Sequence, residues 1–242
     1  MRDNIHSSVD YAVLGDDMQL VEISLSPEEG VRGEPGSMIY MRKGISMKTD
    51  TGGGFMQGLK RMISGEELFI TTFVNEGPEK SSVAFAAPYP GKIISADLSE
   101  FGGELLCQRD AFLCAAAGVE IEVAYTKRFG AGFFGGEGFI LQKLVGRKRA
   151  FLHAGGTVVE KSLEDGEQLR VDTGCIAAFG AEVSYGIEHV GGIRNTLFGG
   201  EGVYLATLEG PGTVYLQSLP FARLADRVAQ SQVSSTGQNK PG

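Results

Sequence analysis

Read for alternation of apolar and polar side chains, the chain is a succession of short strands. Val119-Glu120-Ile121-Glu122-Val123-Ala124-Tyr125 and Ala181-Glu182-Val183-Ser184-Tyr185 alternate with a period of two, which places one face of each segment inside and the other in water. Val203 to Leu208, a Glu209-Gly210-Pro211-Gly212 turn and Thr213-Val214-Tyr215-Leu216 read as a hairpin, because Gly and Pro set a reversal between two β-prone runs. Helical spacing is confined to two places: Gly58 to Ser64 has room for one turn, and Pro220 to Gln230 carries Phe221, Leu224 and Val228 on one face. From Ser231 to Gly242 the residues are polar and predict a frayed end. With 36 glycines in 242 residues and turn signals at short intervals, the pattern predicts an all-β barrel or sandwich with a short C-terminal helix.

The strands are organised by repetition. Phe134-Gly135-Gly136-Glu137-Gly138-Phe139 returns as Phe198-Gly199-Gly200-Glu201-Gly202-Val203, and a weaker copy stands at Ile63-Ser64-Gly65-Glu66-Glu67-Leu68-Phe69. Upstream of each lies a second shared segment, at Gly36 to Met41, Asp110 to Ala115 and Thr173 to Ala178, followed by a glycine at Gly44, Gly118 and Gly180. Matched segments at a fixed period are the signature of a repeat architecture. The expectation is three units sharing one core around a pseudo-threefold axis: residues 1–92, 93–160 and 161–225, with 226–242 as helix end and disordered tail. The first unit is the divergent one, with an insertion near Gly77-Pro78 and Pro88-Tyr89-Pro90, where proline makes a continuous central strand improbable.

Composition narrows the partners. A formal charge of −8 repels phosphate backbones, so nucleic acid is excluded as a partner; Lys60-Arg61 and Arg147-Lys148-Arg149 are too short to act as polybasic tracts. No apolar stretch approaches the roughly 20 residues that span a bilayer, and no charged segment followed by an apolar run opens the chain, which predicts a cytoplasmic location. Cys107, Cys114 and Cys175 form neither a paired framework nor a C-x-x-C, and His6, His153 and His189 stand singly. Reduced buried thiols, a structural His153 and no metal site are expected.

Three motifs carry some chemical suggestion. Gly130-Ala131-Gly132-Phe133-Phe134-Gly135 is literally G-x-G-x-x-G, but it leads into a strand where a phosphate-binding loop must open a helix. Val171-Asp172-Thr173-Gly174 copies an aspartic-protease loop without the second loop that a shared-proton dyad needs; Asp172 is read as bonding its own backbone at a strand-entry turn. The repeated Glu66, Glu137 and Glu201 either hold their glycine turns or converge on the axis, where carboxylates bind a cation. The glycine loops also carry large apolar side chains, Phe55, Met56, Leu59, Phe133, Phe134 and Phe198. These either fold over the shared core or form a contact surface for a subunit, partner or membrane.

Taken together, Gly53-Gly54-Phe55 with Leu59-Lys60-Arg61-Met62 and Gly65-Glu66, the run Phe134 to Gln142, Val171-Asp172-Thr173-Gly174, and Gly199-Gly200-Glu201-Gly202 with Gly210-Pro211-Gly212 resemble the bacterial branch of the altered-inheritance-of-mitochondria (mitochondrial biogenesis) family. The similarity covers about residues 5 to 220. It implies a triplicated fold of the double-stranded β-helix type, similar to the subunit of the tryptophan RNA-binding attenuation protein. That likeness does not bring RNA binding with it, because function belongs to sites, and the resemblance carries over no catalytic residue. The functional expectation is therefore a non-enzymatic scaffold or interaction protein without cofactor, acting as a homo-oligomer or on a protein partner, with peripheral membrane contact as a variant. A small-ligand or metal-binding β-helix protein, or an enzyme of that type, is the alternative; a polar pocket lined by His153, Glu137 or Glu201 would favour it.

Overall fold

The structure is a computed structural model that describes residues 9–49, 70–127, 139–190 and 203–236. In chain order, the first strands are β1 (Asp10–Leu14), β2 (Leu20–Leu25), β3 (Gly30–Gly33), β4 (Met38–Met41), β5 (Ile45–Thr49), β6 (Thr71–Asn75) and β7 (Ser81–Phe85). Next come β8 (Gly91–Asp97), β9 (Glu104–Gln108), β10 (Phe112–Ala116), β11 (Glu120–Lys127), β12 (Phe139–Val145) and β13 (Arg149–Gly155). The last are β14 (Val158–Leu163), β15 (Gln168–Asp172), β16 (Ile176–Gly180), β17 (Ser184–Val190), β18 (Val203–Glu209) and β19 (Gly212–Gln217), followed by a helix, α1 (Phe221–Thr236). The fold is all-β with this one α-helix among the described residues. Among the described residues no helix is long and apolar enough to cross a membrane.

Four sheets result, in the orders β1-β2-β7-β4, β5-β6-β3-β10-β13-β8, β11-β12-β9-β16-β19-β14 and β15-β18-β17. Corresponding strands make corresponding antiparallel pairs in each third of the chain: β2–β7, β8–β13 and β14–β19; β3–β6, β9–β12 and β15–β18; β5–β6, β11–β12 and β17–β18. The pairs β4–β7, β10–β13 and β16–β19 each carry a register irregularity two residues into the strand, at Met38/Tyr40, Phe112/Cys114 and Ile176/Ala178. Two further pairings cross from one third to the next, β3–β10 and β9–β16. They make the two six-stranded sheets continuous, so neighbouring thirds share sheets as well as core. The Gly-Glu turns at Glu66, Glu137 and Glu201 lie outside the described residues.

Among the described residues the core forms three apolar clusters, each drawing on neighbouring thirds of the chain. The first gathers Val21, Ile23, Phe73, Phe85 and Phe151, the second Leu98, Leu105, Phe112, Leu144 and Leu152, and the third Leu141, Val171, Phe179, Leu208 and Val214. Strand β13 joins the first two: every residue from Ala150 to Gly155 is buried, with Phe151 in the first cluster and Ala150 and Leu152 in the second. This is why Ala150-Phe151-Leu152-His153-Ala154 shows no polar alternation; a central strand with both faces covered reads as a continuous apolar run.

Several local expectations need correction. Strands β18 and β19 do not form a hairpin: β18 is bonded on both edges by β15 and β17, and β19 by β14 and β16. The turn at Gly210-Pro211 therefore passes the chain between sheets. The alternating run at Ala181 begins with a turn, and the strand starts at Ser184. The matched turns close by Ile45 N–H to Arg42 O (3.2 Å), Val119 N–H to Ala116 O (3.1 Å) and Val183 N–H to Gly180 O (3.1 Å). Gly44 (φ 98°) and Gly118 (φ 96°) hold the left-handed third position, where a side chain is strained. In the third turn the third residue is Glu182, without a left-handed φ, and Gly180 stands first, so it is not the counterpart of the other two. Finally, α1 extends through Ser231 to Thr236, beyond the expected fraying point, because Gln, Val and Ser in its last turns tolerate helical backbone and no Gly or Pro interrupts them.

Candidate functional site

Short 3-10 turns, Pro35–Ser37, Arg109–Ala111 and Thr173–Cys175, precede β4, β10 and β16. The residue before each is polar: Glu34, Gln108 and Asp172. Asp172 accepts the Gly174 N–H at 2.9 Å and pairs with Arg223 of α1 at 2.7 Å, so the protease-like loop is a turn cap that also fastens the helix. Helix α1 lies across the first two turns. Between them is a pocket of about 560 Å³. Its walls are Glu34, Gly36 and Ser37 at the first turn, Arg109 and Asp110 of the second, and Phe112 and Leu113 of β10. The Ala87-Pro88-Tyr89 bend and Phe221, Ala222, Ala225 and Asp226 of the helix complete it.

Hydrogen bonds and ring contacts hold these walls together. Glu34 N–H bonds Leu113 O at 3.1 Å, and Ser37 Oγ–H bonds Glu34 O at 2.8 Å, which holds the first turn against β10. Tyr89 anchors the helix: its ring lies 5.3 Å from that of Phe221 and meets His153 edge-on at 4.5 Å. Burial, with Asp110 and Glu34 nearby, raises the Tyr89 phenol far above its ordinary range, so it stays neutral. Burial also raises the Glu34 carboxyl, reinforced by Asp110 and opposed by Arg109. Arg109 Nε stands 3.8 Å from Asp110. The cleft therefore joins an aromatic-apolar floor to a rim of three carboxylates and one guanidinium, a combination that suits a cationic amphiphile.

Beneath Tyr89, His153 is buried and its Nδ1 has no partner. Burial lowers its pKa to about 4 against a raising contribution from the Tyr89 backbone. Its counterpart in the last third, by position along β19, is Gln217, whose Nε2–H bonds Gly174 O at 2.9 Å and whose Oε1 accepts the Gly155 N–H at 2.9 Å. Cys107 and Cys114 are buried thiols and Cys175 is half-buried; burial raises all three, which makes them inert as nucleophiles. Among the described residues no three His, Cys, Asp or Glu side chains gather as metal ligands.

Of the residues singled out from sequence, Phe55, Met56, Leu59, Phe133, Phe134, Phe198, Glu66, Glu137 and Glu201 lie outside the described residues. His153 is placed, but below the pocket and screened by Tyr89. The pocket residues Glu34, Tyr89, Asp110 and Asp226 were not anticipated. Their signal is partial: of the matched segments Gly36 to Met41, Asp110 to Ala115 and Thr173 to Ala178, the first two contribute to the pocket.

Comparison with known proteins agrees with this architecture. Residues 11–219 match the family described as Mitochondrial biogenesis AIM24. An uncharacterized protein of Streptococcus pyogenes serotype M6 is 29% identical over 213 residues, covering 85% of this chain and 84% of its own. The X-ray crystal structure of a Streptococcus pyogenes protein superposes with a TM-score of 0.75 at 24% identity, covering 93% of this chain and all of that one; at that identity the likeness concerns the fold.

Proposed function

We propose that this chain, which belongs to the Mitochondrial biogenesis AIM24 family, is a non-enzymatic scaffold or interaction protein of the cytoplasm. The observation that carries this reading is the four-stranded sheet, whose two edge strands and adjoining loop expose Val13, Leu14, Met18, Ile39, Tyr40 and Met41. Apolar side chains grouped on sheet edges are contact surface rather than core. The glycine loops with Phe55, Met56, Leu59, Phe133, Phe134 and Phe198 extend the same chemistry to a protein partner or a membrane surface. Nucleic acid is not among the partners, since the net charge is −8. Phe133→Ser and Phe134→Ser are expected to leave thermal stability within about 0.5 kcal/mol, as exposed positions do, while reducing capture of partners or anionic vesicles. A loss of about 3 kcal/mol or more would place both rings in the core and remove the loops from this reading.

The pocket under α1 favours a second reading, a small-ligand site for a cationic amphiphile. Calorimetric titration with decylammonium should then show saturable binding, weakened roughly two- to five-fold by Asp110→Asn, the effect of one partly screened charge. An absence of heat with the unaltered protein would dismiss this reading.

A further inference from the structure

The two seams between thirds of the chain are built alike. In the first, β10 lies against β3 with Cys114 opposite Gly33 and Ala115 opposite Arg32. In the second, β16 lies against β9 with Ala178 opposite Cys107 and Phe179 opposite Leu106. Strand β4 is the counterpart of β10 and β16, and β15 is the counterpart of β3 and β9. Yet β4 ends the four-stranded sheet and β15 ends the three-stranded one, and they are not paired with each other. The chain therefore carries one unmated example of each half of a seam it forms twice internally.

Burial shows the consequence. Leu113, Cys114 and Ala115 of β10 and Ala177, Ala178 and Phe179 of β16 are at most 2% exposed. The corresponding Ile39, Tyr40 and Met41 of β4 are 51%, 37% and 41% exposed. Edge strands that stay unpaired in solution are normally guarded by an inward charge, a proline or a distorting bulge at the open edge; Met38-Ile39-Tyr40-Met41 contains no charge and no proline, and its register irregularity faces β7.

We infer that β4 of one copy of this chain pairs antiparallel with β15 of a second copy, in the register of the two internal seams. This rests on reading the chain as an interaction protein and names its partner as the chain itself. Tyr40 then stands opposite Val171, Met41 opposite Arg170, and Arg42 opposite Leu169. The basic pair Arg42-Lys43 runs beside the acidic turn Glu164-Asp165-Gly166-Glu167, so the ends of the seam are complementary in charge. Because the two surfaces differ, the contact is head-to-tail and each added copy presents a fresh edge, which yields a ring or a filament according to the rotation per copy.

Sedimentation of the full chain across a concentration series tests this, with thermal melting to confirm that each variant is folded. The unaltered chain should self-associate. Met41→Lys, which faces the second copy's Arg170 with like charge, should weaken association by roughly ten-fold or more, since like charges directly opposite each other destabilise a strand pair. Adding Arg170→Glu to Met41→Lys should restore association. A chain that stays monomeric at high concentration, association indifferent to Met41→Lys, or failure of the double variant to recover would each overturn the seam. The capture experiment with Phe133→Ser and Phe134→Ser remains independent: capture by a monomeric chain would refute self-pairing while leaving the interaction reading intact.

Discussion

Phe151→Ala is expected to destabilise the protein by about 3–5 kcal/mol, the range for deleting a fully buried Phe side chain. Phe151 has no exposed surface and stands in β13, the strand that faces two cores at once. On the first-core side its ring meets Tyr11 edge-on at 4.9 Å, and the Arg149 guanidinium lies 5.5 Å from the same Tyr11 ring. Truncation therefore removes the transfer free energy of the ring and an aromatic contact, and it opens a cavity that closely hydrogen-bonded strands cannot collapse to fill. A domain of ordinary stability, about 5–15 kcal/mol, loses a large share of it. Val123→Ala, at a solvent-facing position of β11, should cost within about 0.5 kcal/mol and serves as the control. Urea unfolding decides between the assignments; a Phe151→Ala cost below about 1 kcal/mol would mean that β13 is not the strand joining the cores.

Acidification is expected to weaken the fold before the carboxylates titrate, through His153. Its native pKa is lowered to about 4 because the imidazole is buried away from water, while an unfolded histidine titrates near 6.5. Below pH 6.5 the unfolded chain binds a proton that the native state refuses. The stability contributed by the neutral native imidazole is thus present above pH 6.5 and is lost as pH falls toward 4. The slope approaches about 1.4 kcal/mol per pH unit, and the total is roughly 3 kcal/mol. Glu34 acts in the opposite sense: its raised carboxyl contributes stability at low pH that is lost as pH rises through its native pKa, so it offsets part of the histidine effect. Glu22 and Asp97, both lowered mainly by side-chain hydrogen bonds, add acid lability only below the ordinary carboxylate range. Unfolding free energies measured between pH 7 and 4.5 should fall with acid in the unaltered chain and flatten in His153→Gln, which installs the side chain found at the corresponding Gln217. Equal slopes in the two proteins would show that His153 is not the group responsible.

Much of the architecture is legible in local pattern. The alternation of Glu120 to Tyr125 specifies a half-buried strand wherever that strand goes, because neighbouring side chains leave opposite faces of an extended backbone. The glycines at 44 and 118 mark turns because their backbone takes a conformation that Cβ opposes. Phe221, Leu224 and Val228 mark a helix, and Val171-Asp172-Thr173-Gly174 marks a capped turn. The short alternating runs between glycine turns, with the family resemblance, point to the all-β chain that the structure shows.

Only the tertiary structure decided which strands meet. Adjacent β18 and β19 look like a hairpin, yet each has both edges taken by strands distant in sequence, and nothing within their own residues records that occupancy. For the same reason β4 resembles β10 and β16 as a sequence but differs from them in exposure: whether Ile39, Tyr40 and Met41 are core depends on a neighbour beyond the chain's own edge. The pocket under α1 is equally non-local, since Glu34, Tyr89, Asp110 and Asp226 converge only when two turns, a proline bend and a helix pack together. Side-chain periodicity is a property of consecutive residues and survives in any context, whereas pairing, burial and clefts depend on which distant surfaces compete for the same hydrogen-bonding edge.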